Sequence, residues 1–230
     1  MFAFYEDRVI DSPYVDRIWR AQVAQDVHPV CPADARWNLV FIKYNATLRV
    51  SIEGGTSQWL ERSLLAGSEY LVIEFKLGVY MPDFPAGEFL NKDVVLPEAA
   101  ARSFWLNDLA KKMPNFEDAE RLADQLVQQG LLVRDPLIAE VLQGSPPPVS
   151  QRALQYHFLR ATGLPLNRIR QINRAQYAVA LLQQGASILD TVHDAGYFDQ
   201  PHLTRALKRY TGQTPAQIVR SQAVWMNPAG

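Results

Sequence analysis

Between residues 47 and 53 apolar and polar side chains alternate, with Leu48, Val50 and Ile52 set against Thr47, Arg49, Ser51 and Glu53. A period of two is that of a strand with one buried face. Trp37 to Tyr44 and Glu69 to Leu77 are further strand candidates, and Asn45-Ala46 supplies a turn that folds the first back on 47–53. Gly54-Gly55 is a second turn signal, and Pro82, Pro85 and Gly87 mark a loop. Several short strands separated by turn signals predict a sandwich or small barrel, with helices beginning near Pro97.

The period then lengthens. Ala119, Leu122, Ala123, Leu126 and Val127 recur at i, i+3, i+4, i+7 and i+8, which predicts an amphipathic helix over about 116–129. Asn115 stands as its N-cap and Gly130 as its stop. Its apolar stripe fits a dimer seam and packing on its own barrel equally well. A short helix follows over about 136–142, and Gly144-Ser145-Pro146-Pro147-Pro148 interrupts the chain. We divide the chain at 130/131, into a β-rich sensor or dimerisation domain with trailing helices and an all-α domain.

In that second domain Ser150 caps a helix with Leu154, Phe158 and Ala161 inward, ended by Gly163. A long helix spans about Leu166 to Gln184, with Ile169, Ile172, Val179 and Leu182 inward and Gly185 as the stop. Ser187 and Asp190 form a capping box for a short helix that presents Ile188, Val192 and Ala195 to one face. Gly196 follows, where a tight interhelical turn needs positive φ. Asp199 caps the next helix, which buries Leu203, Ala206, Leu207 and Tyr210 and leaves Gln200, His202, Arg205, Lys208 and Arg209 outside. Short helix, glycine turn and second helix with a polar, basic outer face is the pattern of a helix-turn-helix. An ordinary helical hairpin shares much of it.

Charge sharpens the picture. Residues 1–145 carry 14 Lys/Arg against 21 Asp/Glu, whereas residues 146–230 carry 9 against 3. A basic module joined to an acidic one fits a polyanionic partner; a solvated basic face is the bland alternative. Cys31 is the only cysteine, so an internal disulfide is excluded and a cysteine-based zinc site disfavoured. A structural thiol is the favoured reading of Cys31. His28 is the only histidine before residue 157, too few for a metal-dependent barrel enzyme. No apolar run of eighteen residues and no signal-like start are seen, and a cytoplasmic protein is expected.

The stretch SQRALQYHFLRATGLP, followed by RAQYAVALLQQGASILDTVHDAGYFDQPHLTRALKRYTGQTPAQI, resembles the DNA-binding domain of the AraC/XylS family of bacterial transcription regulators. The resemblance runs over about 80 residues and is densest from Asp190 to Pro215. It implies an α+β chain: an N-terminal β-barrel or sandwich (cupin-like) with helices, then two helix-turn-helix units joined by a long helix. By position it makes Arg152, Gln155 and Tyr156 the base-facing residues of the first recognition helix, and Gln200, Pro201, His202 and Arg205 those of the second. Ser150, Arg160, Thr204, Lys208 and Arg209 complete the expected DNA-facing set. Gln suits adenine and Arg suits guanine, and both also bind phosphate. The chain departs from the family where three prolines occupy the place of the first unit's supporting helix.

The resemblance also implies a sensing domain ahead of the DNA-binding domain. Trp37, Phe75 and Tyr80 are the candidate effector-binding residues; filling the core is the competing role for such aromatics. The expected partners are double-stranded DNA, a small-molecule effector, a second copy of the chain and, in an activator, RNA polymerase. No cofactor, metal, catalytic residue or membrane is expected. Two other classes stay in view: an interaction protein with weak DNA affinity, and a small-molecule enzyme in the N-terminal barrel.

Overall fold

The computed structural model describes residues 2–145 and 149–220, so Pro146 to Pro148 of the expected chain break lie outside the described residues. The chain forms two compact units, one from the described residues of 1–27, 35–55 and 64–165 and the other from those of 28–34, 56–63 and 166–230.

The first unit is built on a six-stranded antiparallel sheet. Its strands are β1 (Phe2–Val9), β2 (Val15–Val23), β4 (Asn38–Tyr44), β5 (Thr47–Glu53), β7 (Glu69–Phe75) and β9 (Asp93–Leu96), while β3 (Val30–Cys31) and β6 (Leu60–Glu61) belong to the second unit. The sheet order is β1-β2-β7-β4-β5-β9, which leaves β1 and β9 as open edges rather than closing a barrel. The β4–β5 hairpin turns at Asn45 and Ala46 with φ of 47° and 62°, the doubly left-handed turn whose twist matches that of paired strands. Register puts Leu39, Phe41, Val50 and Ile52 on one face, all fully buried.

That face is covered from two sides. The short pair β8 (Val79–Tyr80) and α1 (Ala86–Phe89) precede β9, and β10 (Glu98–Ala100), β11 (Ser103–Leu106) and β12 (Leu109–Lys112) then form a three-stranded sheet. Phe104 of β11 meets Phe41 edge to face at 5.7 Å, giving a sandwich-like core. Helix α2 (Ala119–Gln128) packs on β2 and buries Ala119, Leu122, Ala123 and Leu126. Its stripe is therefore spent on the chain's own sheet and is not free as a dimer seam. The opposite sheet face carries a buried Arg17 that donates to both carboxylate oxygens of Glu74 at 2.8 and 2.9 Å.

Two expectations need correction. Helices do not begin near Pro97: strands continue to Lys112, turning at Asn107 and Asp108 with φ of 47° and 58°. Helix α2 does not start from Asn115. Asp118 holds the N-cap position and its side chain instead accepts from the Asn115 N–H at 2.6 Å. After β13 (Val133–Arg134), which pairs with β8, the first unit ends with α3 (Pro136–Leu142) and α4 (Gln151–Thr162).

The second unit holds α5 (Leu166–Gln183), α6 (Ile188–Asp194), α7 (Gln200–Thr211) and α8 (Pro215–Arg220). Helix α5 packs on the other three, with Ile169, Ile172, Ala175, Ala178 and Leu182 buried. The β3–β6 ribbon, drawn from the N-terminal half of the sequence, belongs to the same unit.

Candidate nucleic-acid interface

Helix α4 is local chemistry first. Ser150 accepts from the Ala153 N–H at 3.3 Å, and Gly163 ends the helix at φ +71°. Leu154, Phe158, Ala161 and Thr162 face inward, leaving Arg152, Gln155, Tyr156, Leu159 and Arg160 exposed. Tyr156 is 61% exposed, well above what core packing would leave.

The β-rich unit holds α4 at its middle and at its C-terminal end. Asp135 caps α3 by accepting from the Leu137 N–H at 3.1 Å, and its other oxygen meets His157 Nδ1 of α4 at 2.5 Å. One carboxylate thus joins the two helices, and α3 packs against α4 from ahead of the three prolines. At the far end the indole N–H of Trp37 donates to the Ala161 carbonyl at 2.9 Å. A Cβ on Gly163 would stand 2.7 Å from the Ala86 carbonyl oxygen, so the chain passes α1 too closely for any other residue. Arg160 lies over the Tyr80 ring at 5.2 Å. Burial pushes the Tyr80 hydroxyl's pKa above its usual value, with the Arg160 charge opposing.

Helix α7 is built by the same grammar and held differently. Ser187 Oγ accepts from the Asp190 N–H at 3.1 Å and opens α6. Gly196 turns the chain at φ +67°, and Asp199 accepts from the His202 N–H at 2.7 Å to open α7. Leu203, Leu207 and Tyr210 are buried, while Gln200, Pro201, Arg205, Lys208 and Arg209 are exposed and His202 and Thr204 half-buried. Arg174 of α5 lies 4.4 Å over the Tyr197 ring and fixes the turn from below. The Tyr210 hydroxyl accepts from Arg168 at 2.7 Å and donates to Gln171 at 2.6 Å, fixing α7 on α5.

The last turn of α7 leaves carbonyls that need donors. Those donors come from the ribbon. The Ala33 N–H reaches the Tyr210 carbonyl at 2.7 Å and the Trp59 N–H reaches the Arg209 carbonyl at 3.4 Å. Gln176 of α5 donates to the Ala33 carbonyl at 2.8 Å. Gly212 sits at φ +74° beneath Trp59 and Val30, where a Cβ would approach the indole to 2.9 Å. Thr214 then accepts from the Gln217 N–H at 3.2 Å and opens α8 at Pro215.

Of the residues the sequence singles out, Ser150, Arg152, Gln155, Tyr156, Arg160, Gln200, Pro201, Arg205, Lys208 and Arg209 are exposed, while His202 and Thr204 are half-buried. The holding residues Asp135, His157, Ala33 and Trp59 carry no signal of that role, apart from the Asp-Pro at 135–136 that marks a helix start. The candidate effector residues Trp37, Phe75 and Tyr80 are buried in the first unit, and the Phe75 N–H donates to the Trp37 carbonyl at 3.0 Å. Among the described residues no group of three or more His, Cys, Asp or Glu is arranged to hold a metal.

Residues 148–221 match the family described as a helix-turn-helix domain. The C-terminal third is a helix-turn-helix domain. Over 82 residues the chain is 37% identical to the HTH-type transcriptional regulator RipA of Corynebacterium glutamicum, a match spanning 36% of this chain and 24% of that regulator. Two solved structures of ToxT from Vibrio cholerae align over 94% of the chain, at TM-scores of 0.38 and 0.40 and sequence identities of 10% and 9%. The alignments cover 98% and 97% of those chains. Among the described residues no helix is long and apolar enough to cross a membrane.

Proposed function

We propose that this chain is a sequence-specific transcription regulator that reads double-stranded DNA with α4 and α7. The observation that carries the reading is that both helices are side-chain capped at the end expected to enter the groove and expose polar and basic residues along the outer face. Recognition helices contact base edges near their N-termini while flanking Arg and Lys neutralise phosphates. Arg152, Gln155 and Tyr156 read bases from α4, and Gln200, Pro201, His202 and Arg205 from α7. Ser150, Arg160, Thr204, Lys208 and Arg209 serve the backbone. This is a regulator working in the cytoplasm, not an enzyme. It recruits RNA polymerase where it activates, and any homodimer uses a surface other than the α2 stripe.

Residues 1–130 carry effector sensing in this reading and residues 131–230 the DNA contacts. A small molecule at Trp37, Phe75 and Tyr80 acts on α4 directly, because Trp37 and Tyr80 both touch that helix. The test is affinity of the full chain for duplex DNA against salt concentration. Affinity falling steeply on a log–log plot, with Arg205→Ala weakening the preferred sequence about tenfold or more, is expected. Affinity insensitive to both would remove the DNA-reading role and favour the interaction-protein alternative.

A further inference from the structure

The exposed face of α7 ends in an anomaly. Phe198 is 91% exposed, the largest exposure of any big apolar side chain among the described residues. Nothing loose explains it. Tyr197 on one side is buried under Arg174, and Asp199 on the other is locked by its cap to His202. The Phe198 backbone N–H itself points to His202 Nδ1 at 3.5 Å. Between these two anchored neighbours the phenyl ring stands almost wholly in water, so folding gains no hydrophobic burial from it.

Residue 198 is two positions before the first residue of α7, at the end of a recognition helix that meets base edges. Pro201, also exposed, adds a second apolar surface at that end. In the major groove the apolar group that a base edge offers is the 5-methyl of thymine. Resting on the DNA-binding reading above, we propose that Phe198 is a specificity-determining residue, packing against a thymine methyl at the edge of the site read by α7. DNA is favoured over a protein partner as its occupant because Gln200, Arg205, Lys208 and Arg209 stand exposed along the same helix, while Asp199 is spent on capping.

The test uses the full chain and its preferred duplex, with each thymine of the block read by α7 replaced singly by deoxyuridine, which lacks only the methyl. The wild-type chain should lose about fourfold in affinity at one such position, the worth of one buried carbon. Phe198→Ala should bind the thymine and deoxyuridine duplexes equally there, whereas Arg205→Ala should keep the fourfold ratio while binding both more weakly. Phe198→Ala should melt like the wild type, since the side chain is 91% exposed. Indifference of the wild type to every replacement, or a ratio that survives in Phe198→Ala, overturns the proposal. Should no duplex be preferred at all, the DNA-reading role itself fails and this inference falls with it.

Discussion

Helices α4 and α7 are alike in sequence grammar and unlike in what holds them. Each starts at an oxygen-bearing cap, stops at a left-handed glycine and shows polar and basic residues outside. Helix α4, however, belongs to the sheet unit and is fastened there by Trp37, Asp135 and the close pass of Gly163 over Ala86. Helix α7 sits on α5, and its last carbonyls are capped by a ribbon from the N-terminal half of the sequence. The contrast teaches that the two compact units are not separate blocks along the chain. Helix α4 is part of the sheet unit, and α7 is completed by segments from before residue 64.

The most disruptive way to break this contrast is Phe158→Ala. The ring is fully buried under α4, so about 3–5 kcal/mol of stability should be lost, read as a lower melting temperature. The base block read by α4 should vanish before that read by α7. A smaller effect sharpens the other side. Trp59→Ala removes the indole over Gly212 and should cost about 2 kcal/mol, weakening the α7 block while sparing the α4 block. Equal weakening of both blocks would mean that the ribbon does not serve α7 in particular.

Trp37→Phe keeps the aromatic packing in part, deletes the donor to Ala161 and leaves a small gap in the core. About 1 kcal/mol should go, with a selective loss in the α4 block measured by affinity for half-substituted duplexes. The smallest effect belongs to Lys208→Ala. It should leave melting unchanged and lower the salt slope of DNA binding by about one, as removal of a single phosphate contact does. A slope unaltered by this change would place Lys208 away from the backbone.

What was legible in the sequence is local. Ser150, Ser187, Asp199 and Thr214 act within three residues of themselves, and Gly163, Gly185 and Gly196 answer the backbone directly, so caps, stops and the helix-turn-helix pattern could be read from spacing alone. The β4–β5 hairpin was legible for the same reason. The strands after Pro97 were missed because they are three or four residues long, too short for a period to register, and the Asn107-Asp108 turn was the available clue. Contacts at long separation left no trace. Trp37 to Ala161 spans 124 residues and Ala33 to Gln176 spans 143, and a lone indole or alanine carbonyl looks the same in sequence whatever it meets. For that reason a test on residues 131–230 alone would remove the ribbon from α7 and mix loss of folding with loss of regulation.

The most direct test of two reading helices is selection from a random duplex pool by the full chain. The account predicts an enriched motif of two blocks about ten base pairs apart, one weakened by Arg205→Ala and the other by Arg152→Ala. A motif of one block untouched by Arg152→Ala would contradict it, leaving α7 as the sole reader and α4 as part of the sheet unit's core.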